Sequence, residues 1–270
     1  MRTIVATSAA VLTSIAFVVV LLVGDDSLNL VVSNLGQLAA ATLASVACLV
    51  AGRRRADERR RAWWFLGAGT GSWALGQTAW TWYEVVLGRS TPFPSVADIG
   101  FLLFPVLGAT GLVIFLGHQT HLLAARGRDV VDGAIIAGAL LVLSWMTTLG
   151  SVVRSSGDTW STLVLSLAYP VGDIVVATLI LIALAQSHGS ERRVLALLAV
   201  GLGGLAVSDS AYVYVVSEQT FSSTSLMTTG WVVGFLFVAV AGFVAAGIEL
   251  PTTARRARRA LVSSSSRLVP

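Results

Sequence analysis

Eight long apolar stretches follow one another along the chain with only short polar breaks between them. A run of about 20 apolar residues, rising ~1.5 Å per residue, crosses a hydrocarbon core ~30 Å thick, and an α-helix satisfies its own backbone there. The stretches predict spans over Ile4–Val23, Leu30–Gly52, Trp63–Leu87, Ile99–Gly117, Val130–Gly150, Thr162–Ala185, Val194–Val216 and Thr229–Leu250. The fold class expected is therefore all-α, a polytopic transmembrane helix bundle. None of the polar segments between spans can bury a core of its own, so residues 1–250 read as one transmembrane domain and residues 251–270 as a basic cytosolic tail.

Orientation comes from the basic residues, all of which are arginine. Short loops rich in positive charge stay on the cytoplasmic side. Every arginine except Arg89 and Arg154 falls where an N-inside chain has cytosol: Arg2, the Arg53–Arg61 loop, Arg126, Arg128, Arg192, Arg193 and the tail from Arg255 to Arg267. The opposite loops carry Asp25, Asp26, Asp158 and Glu218. Eight spans with both termini inside, in the cell membrane, is the expected topology. A cleaved signal peptide is the alternative for the first stretch; it would leave seven spans with the same sidedness, but the run is long for an h-region and lacks a small-x-small pattern before Gly24. The net charge of +4 is then topogenic, with the lipid bilayer as its partner and no nucleic acid implied.

Several cofactor chemistries are excluded by composition. The lone Cys48 rules out an intramolecular disulfide, a four-cysteine zinc site and an iron–sulfur cluster, and the absence of lysine rules out a retinal Schiff base. His118, His121 and His188 sit at predicted cytosolic ends, and no cysteine or carboxylate completes a metal-binding spacing with them. No cofactor and no resident metal is expected.

Charges within spans are costly and mark candidate sites. Glu84, Asp98, Asp132, Asp173 and Asp209 all fall within or at the ends of spans. Asp98 follows Ser95 by three residues after Pro94, a helix-capping pattern, and Asp132 at a predicted helix start is suited to the helix dipole. Asp173 and Asp209 are too deep for capping, which leaves an interhelical polar contact or a ligand- or proton-binding role. Trp73, Gln77, Trp80 and Glu84 recur at helical spacing on one face, as do Ser166, Tyr169 and Asp173, while Asp209 and Tyr212 are one turn apart. The candidate site is thus an outward-facing, aromatic-walled acidic pocket of Trp80, Glu84, Tyr169, Asp173, Asp209 and Tyr212. Trp63, Trp64, Trp82, Tyr83, Trp160 and Trp231 flank predicted helix ends and read as an interfacial aromatic belt.

The order Trp82-Tyr-Glu84, Pro92-Phe-Pro-Ser-Val-Ala-Asp98, Phe101-Leu-Leu-Phe104, Tyr169-Pro-Val-Gly-Asp173, Ser208-Asp209 and Gly230-Trp231-Val-Val-Gly234 resembles the integral-membrane input region of actinobacterial signalling proteins that carry cyclic-di-GMP GGDEF and EAL domains. The resemblance covers about Trp63–Leu250. It implies a sensory module that passes a helix movement to a cytosolic or membrane signalling partner. The GGDEF and EAL motifs themselves do not occur, so a stand-alone or truncated member without catalytic output is expected.

Two alternatives use the same acids. The Gly172-Asp173 and Ser208-Asp209 pairs resemble the acidic motifs of lysoplasmalogenase-like membrane hydrolases, which implies Asp173 and Asp209 as a catalytic pair, one protonating a vinyl ether and the other activating water. A proton- or cation-coupled transporter would use them as a relay, although no pair of broken helices or inverted repeat accompanies them.

Overall fold

The computed structural model describes residues 2–117, 123–150, 160–217 and 222–247. His118, His121, Arg154, Asp158, Glu218 and the tail lie outside these residues, as do the side chains of Arg126 and Arg128. Eight long α-helices occur among the described residues, and no strand: α1 Arg2–Val23, α2 Asp26–Arg54, α3 Arg60–Thr81, α4 Val96–Gly117, α5 Leu123–Ser144, α6 Trp160–Gln186, α7 Gly189–Ser217 and α8 Thr229–Gly247. Single π-helical segments, Trp82–Val86 and Trp145–Leu149, extend α3 and α5.

Six of the helices are long and apolar enough to cross a membrane: α1, α2, α4, α6, α7 and α8. The two that fall short do so for different reasons. Helix α3 carries Thr70, Ser72, Gln77, Thr78 and Thr81, but α2 and α4 pack along it, so Thr70, Gln77 and Thr81 are buried in protein. In α5 the apolar stretch among the described residues is the shorter Val131–Thr147. Asp132 is exposed and lies more than two turns inside α5, so the helix-start dipole expected for it does not apply.

The outside of the bundle is apolar. Leu12, Leu22, Leu75, Met146, Val207 and Trp160 are among many large apolar side chains left exposed, whereas Asn34, Thr70, Gln77 and Asp98 are buried. This inverts the pattern of a water-soluble domain and is consistent with a multi-pass membrane protein.

Helix ends follow ordinary capping chemistry. Asp25 caps α2, its Oδ1 accepting from the Leu28 amide and the Ser27 hydroxyl at 2.8 Å each, and these donors hold the carboxyl below the usual carboxylate range. Arg53 and Arg54 close the same helix at its negative end. The buried Asn29 amide donates to the Leu21 and Gly24 carbonyls, satisfying the C-terminus of α1.

Six helices form a closed ring in the order α2, α3, α4, α6, α7, α8 and back to α2, with α1 outside on α8 and α5 outside on α6. Small residues set the spacing of the ring. A Cβ added at Gly100 of α4 would stand 2.5 Å from the Ser72 carbonyl of α3, and one at Gly76 would stand 2.7 Å from the Ala97 carbonyl. Gly201 and Gly234 make the equivalent approach between α7 and α8, and Ala44, Ala47 and Ala51 of α2 face Ala241, Gly242 and Ala245 of α8 in the core. Without a hydrophobic force between helices in lipid, such close backbone contact is the main source of association.

Substituting Gly100→Val forces α3 and α4 apart and is expected to destabilise the detergent-solubilised protein by ~1–3 kcal/mol or more. Gly138→Ala in α5, where an added Cβ meets nothing within 4 Å, serves as control and should be neutral or slightly stabilising. Thermal unfolding followed by size-exclusion chromatography checks both, and equal melting of the two variants would contradict the tight α3–α4 contact.

Candidate functional site: a polar lumen in the helix ring

Closing the ring leaves a small lumen to which every ring helix contributes. Gln37 comes from α2, Trp73, Gln77 and Trp80 from α3, Asp98 and Phe101 from α4, Tyr169 from α6, Asp209 and Tyr212 from α7 and Trp231 from α8, while Ser223 reaches in from the segment before α8. The lumen lies toward the C-terminal end of α3 and the N-terminal ends of α4 and α8. At the opposite end of the bundle Arg59 pairs with Glu191 at 2.6 Å, Arg55 with Asp57 at 3.0 Å, and Arg53 stands over the Trp64 ring. Among arginines with described side chains, Arg89 alone sits at the lumen end, over the Tyr83 ring.

Two carboxyl groups share the lumen. Asp98 does two jobs because a carboxylate has two oxygens. Its Oδ2 accepts from the Ser95 amide at 2.6 Å and the Ser95 hydroxyl at 3.2 Å, completing the cap that the sequence pattern indicates, and its Oδ1 accepts from the Tyr169 hydroxyl at 2.5 Å. Asp209 Oδ1 accepts from the Trp231 indole N–H at 2.7 Å. A tryptophan assigned by sequence to the interfacial belt is therefore a buried hydrogen-bond donor. Trp63 departs from the belt too, being fully buried edge-on against Phe115, whereas Trp82 and Trp160 are exposed at helix ends as a belt requires.

Aromatic rings wall the space. Trp80 meets Tyr212 edge-on at 6.2 Å and lies 6.2 Å from Phe101, Tyr212 meets Trp231 at 5.9 Å, and Trp73 packs on Phe101 at 5.0 Å. Above this layer the α3 π-turn carries Glu84, whose Oε2 accepts from Asn34 and Oε1 from Ser223, both at 2.8 Å. The Asn34 carbonyl in turn accepts from Gln77 and Thr81. A hydrogen-bonded chain thus runs from α2 through α3 to the segment before α8, with Ser223 and Gln77 on the lumen wall.

Of the six residues singled out from sequence, Trp80, Tyr169, Asp209 and Tyr212 line the lumen, and Glu84 touches it through Ser223. Asp173 does not line it. Gly172 abuts Pro105 of α4 at the ring contact, and the next residue is turned about 100° around the helix, toward α5 and α7. The carboxyls of Asp173 and Asp209 interact electrostatically across the α6–α7 contact yet open to different cavities. Sequence reasoning missed Gln37 and assigned Asp98 and Trp231 to other tasks. The Ser166-Tyr169-Asp173 spacing placed Asp173 with Tyr169, whereas Tyr169 lines the lumen and Asp173 the cavity beside α5 and α7.

The lumen is about 50 Å³, room for a few water molecules or one small cation. Among the described residues its wall carries two carboxyls, two phenols, two amides, three indoles and a serine hydroxyl but no arginine or histidine. Among the described residues no three histidine, cysteine or acidic side chains cluster as metal ligands. Such a wall suits a proton held on a carboxyl, a water chain, or a small monovalent cation faced by aromatic rings.

Replacing Trp231 by Phe removes the N–H that satisfies Asp209 and is expected to lower stability by about 1–3 kcal/mol. Trp82→Phe, at an exposed helix end, should change it by less than ~0.5 kcal/mol. Thermal unfolding in one detergent compares the two, and equal effects would show that the indole–carboxyl bond carries no weight.

Compared with known proteins, the chain matches no family model, no curated protein and no solved structure.

Proposed function

We propose that this protein is a ligand-responsive membrane module, a sensory input unit of the cell membrane that acts through a cytosolic or membrane signalling partner. The observation that carries this reading is the lumen shared by all six ring helices. An occupant that prefers one packing of the ring biases every helix of it at once, which is what a sensor requires. The acidic, aromatic wall selects for a proton, a small monovalent cation or a small amine. The resemblance to the membrane input region of GGDEF- and EAL-type signalling proteins points the same way, since its motif residues Asp98, Tyr169, Asp209 and Trp231 meet at this lumen.

The hydrolase alternative needs Asp173 and Asp209 on one substrate, and their opening to separate cavities favours binding over that division of labour. A transporter would need a through-path, and the lumen's small volume gives no support to one.

The topology that goes with this function has eight spans with both termini inside and the lumen toward the outer surface. It is supported by the gathering of Arg53, Arg55 and Arg59 at the end of the ring away from the lumen. Reporter fusions after Arg61 and Ser190 should read as cytosolic and one after Arg89 as external. The reverse pattern would overturn this orientation.

For the ligand class, tryptophan fluorescence of the full chain in phosphatidylcholine nanodiscs, titrated with methylammonium and with potassium, should show a saturable change. Trp73, Trp80 and Trp231 all stand on the lumen wall. Asp209→Asn is expected to weaken the response at least about tenfold. No response to either cation or to pH, together with vinyl-ether lipid hydrolysis lost in Asp209→Asn, would replace the sensor reading with the enzyme.

A further inference from the structure

Outside the ring lumen, α5, α6 and α7 border a second cavity of about 600 Å³ that opens to the apolar outside of the bundle. That is the size of an ordinary small-molecule site. Its wall is mostly aliphatic, formed by Leu140, Leu143, Ile174, Ala206 and Val207 together with Met146.

Four polar side chains, Ser144, Thr147, Asp173 and Ser210, interrupt this wall, and two of them, Asp173 and Ser144, carry a buried oxygen with no hydrogen-bond partner among the described residues. Asp173 Oδ2 is buried and accepts no hydrogen bond, and the Ser144 hydroxyl, on a residue only 9% exposed, has no partner either. Helical serines ordinarily return their hydroxyl to the carbonyl four residues back. Ser144 does not, and it immediately precedes the π-helical segment Trp145–Leu149, a kind of distortion common at functional sites. Buried polar atoms are nearly always paired, so two orphans on one apolar cavity call for an occupant that supplies the missing partners.

We propose that this cavity binds a membrane-partitioned primary amine carried on an aliphatic chain. The ammonium donates to Asp173 Oδ2 and to Ser144 Oγ, and the chain lies along Leu140, Leu143, Ile174 and Val207. Ammonium is favoured over hydroxyl because among the described residues no arginine, lysine or histidine lines the cavity to balance the Asp173 carboxyl, and a charge-assisted bond in an apolar setting is about twice as strong as a neutral one. An anionic head is excluded by the same carboxyl. The site is distinct from the ring lumen, which has room for a small cation but none for an alkyl chain.

The test uses the full chain in phosphatidylcholine nanodiscs, with empty discs subtracted, and decylamine, decanol and decanoate as probes. Decylamine should bind saturably and raise the melting temperature, with decanol and decanoate at least about tenfold weaker. Asp173→Asn should weaken decylamine by about tenfold or more and bring it level with decanol. Ser144→Ala should produce a smaller loss in the same direction, and Ala206→Phe, which fills the cavity, should abolish binding of all three. Asp209→Asn, which acts on Asp173 only through their electrostatic interaction, should weaken decylamine binding far less than Asp173→Asn, which separates this site from the lumen. If Asp173→Asn does not fold, Ser144→Ala and Ala206→Phe decide the matter. Equal binding of decylamine and decanol by the unaltered protein, or amine binding indifferent to Ser144→Ala and Ala206→Phe, would overturn the proposal and leave a crevice for lipid chains alone. Absence of saturable binding by any probe would overturn it as well.

Discussion

The close backbone contact between α3 and α4 is the constraint on which the rest of the bundle depends. In lipid, two helices gain nothing by hiding apolar surface from each other, because the surrounding chains are equally apolar. What remains is van der Waals contact and the pairing of polar groups. Gly76 and Gly100 let the two backbones meet where any side chain would collide with a carbonyl, and Gly201 with Gly234 repeats the device between α7 and α8. These two tight pairs fix opposite sides of the ring. Asp98 and Phe101 of α4 are thereby held against Trp73 and Trp80 of α3, and Asp209 of α7 against Trp231 of α8.

With the ring closed, polar residues have a place to go. Asn34, Gln77 and Glu84 would each be costly on a lipid-facing surface, yet here they satisfy one another and Ser223 across three parts of the chain. A polar network of this kind is worth having only when every member is paired, since a half-paired one is worse than an apolar core. That condition explains why α3 is the least apolar of the ring helices. Its polarity is directed inward, and its apolar residues such as Leu75 are left to the outside.

Much of this was legible in the sequence because the signals were long apolar runs and helical periodicity. The eight apolar runs coincide with eight helices to within a few residues at most ends, and the spacing of Trp73, Gln77 and Trp80 correctly put them on one face. The lumen was less legible where a residue has two roles. Ser95 and Asp98 carry a complete capping pattern, which accounts for one oxygen of Asp98 and conceals the other. Trp231 stands at a helix start, where aromatic residues usually meet the interface, and only the neighbouring helix reveals its bond to Asp209. Asp173 erred in the opposite direction, because helical spacing relates residues on one helix and is silent about which neighbour that face meets.

The arrangement also determines how a change in the lumen can travel. Helices α3 and α7 touch the lumen through Trp80 and Tyr212, whose rings meet edge-on, and they are joined again at the far end by Arg59, just before α3, and Glu191, in the first turn of α7. The two helices, each packed along its ring neighbours, are therefore linked to one another at two points, with Asp209 beside one and the ion pair at the other. Moving Tyr212 relative to Trp80 must either tilt α7 against α3 or break the Arg59–Glu191 pair. The ion pair is only half-buried and rests on flexible side chains, so it is the weaker of the two attachments. Under the proposed sensory reading, this pair is where a rearrangement begun in the lumen would reach the arginine-rich end.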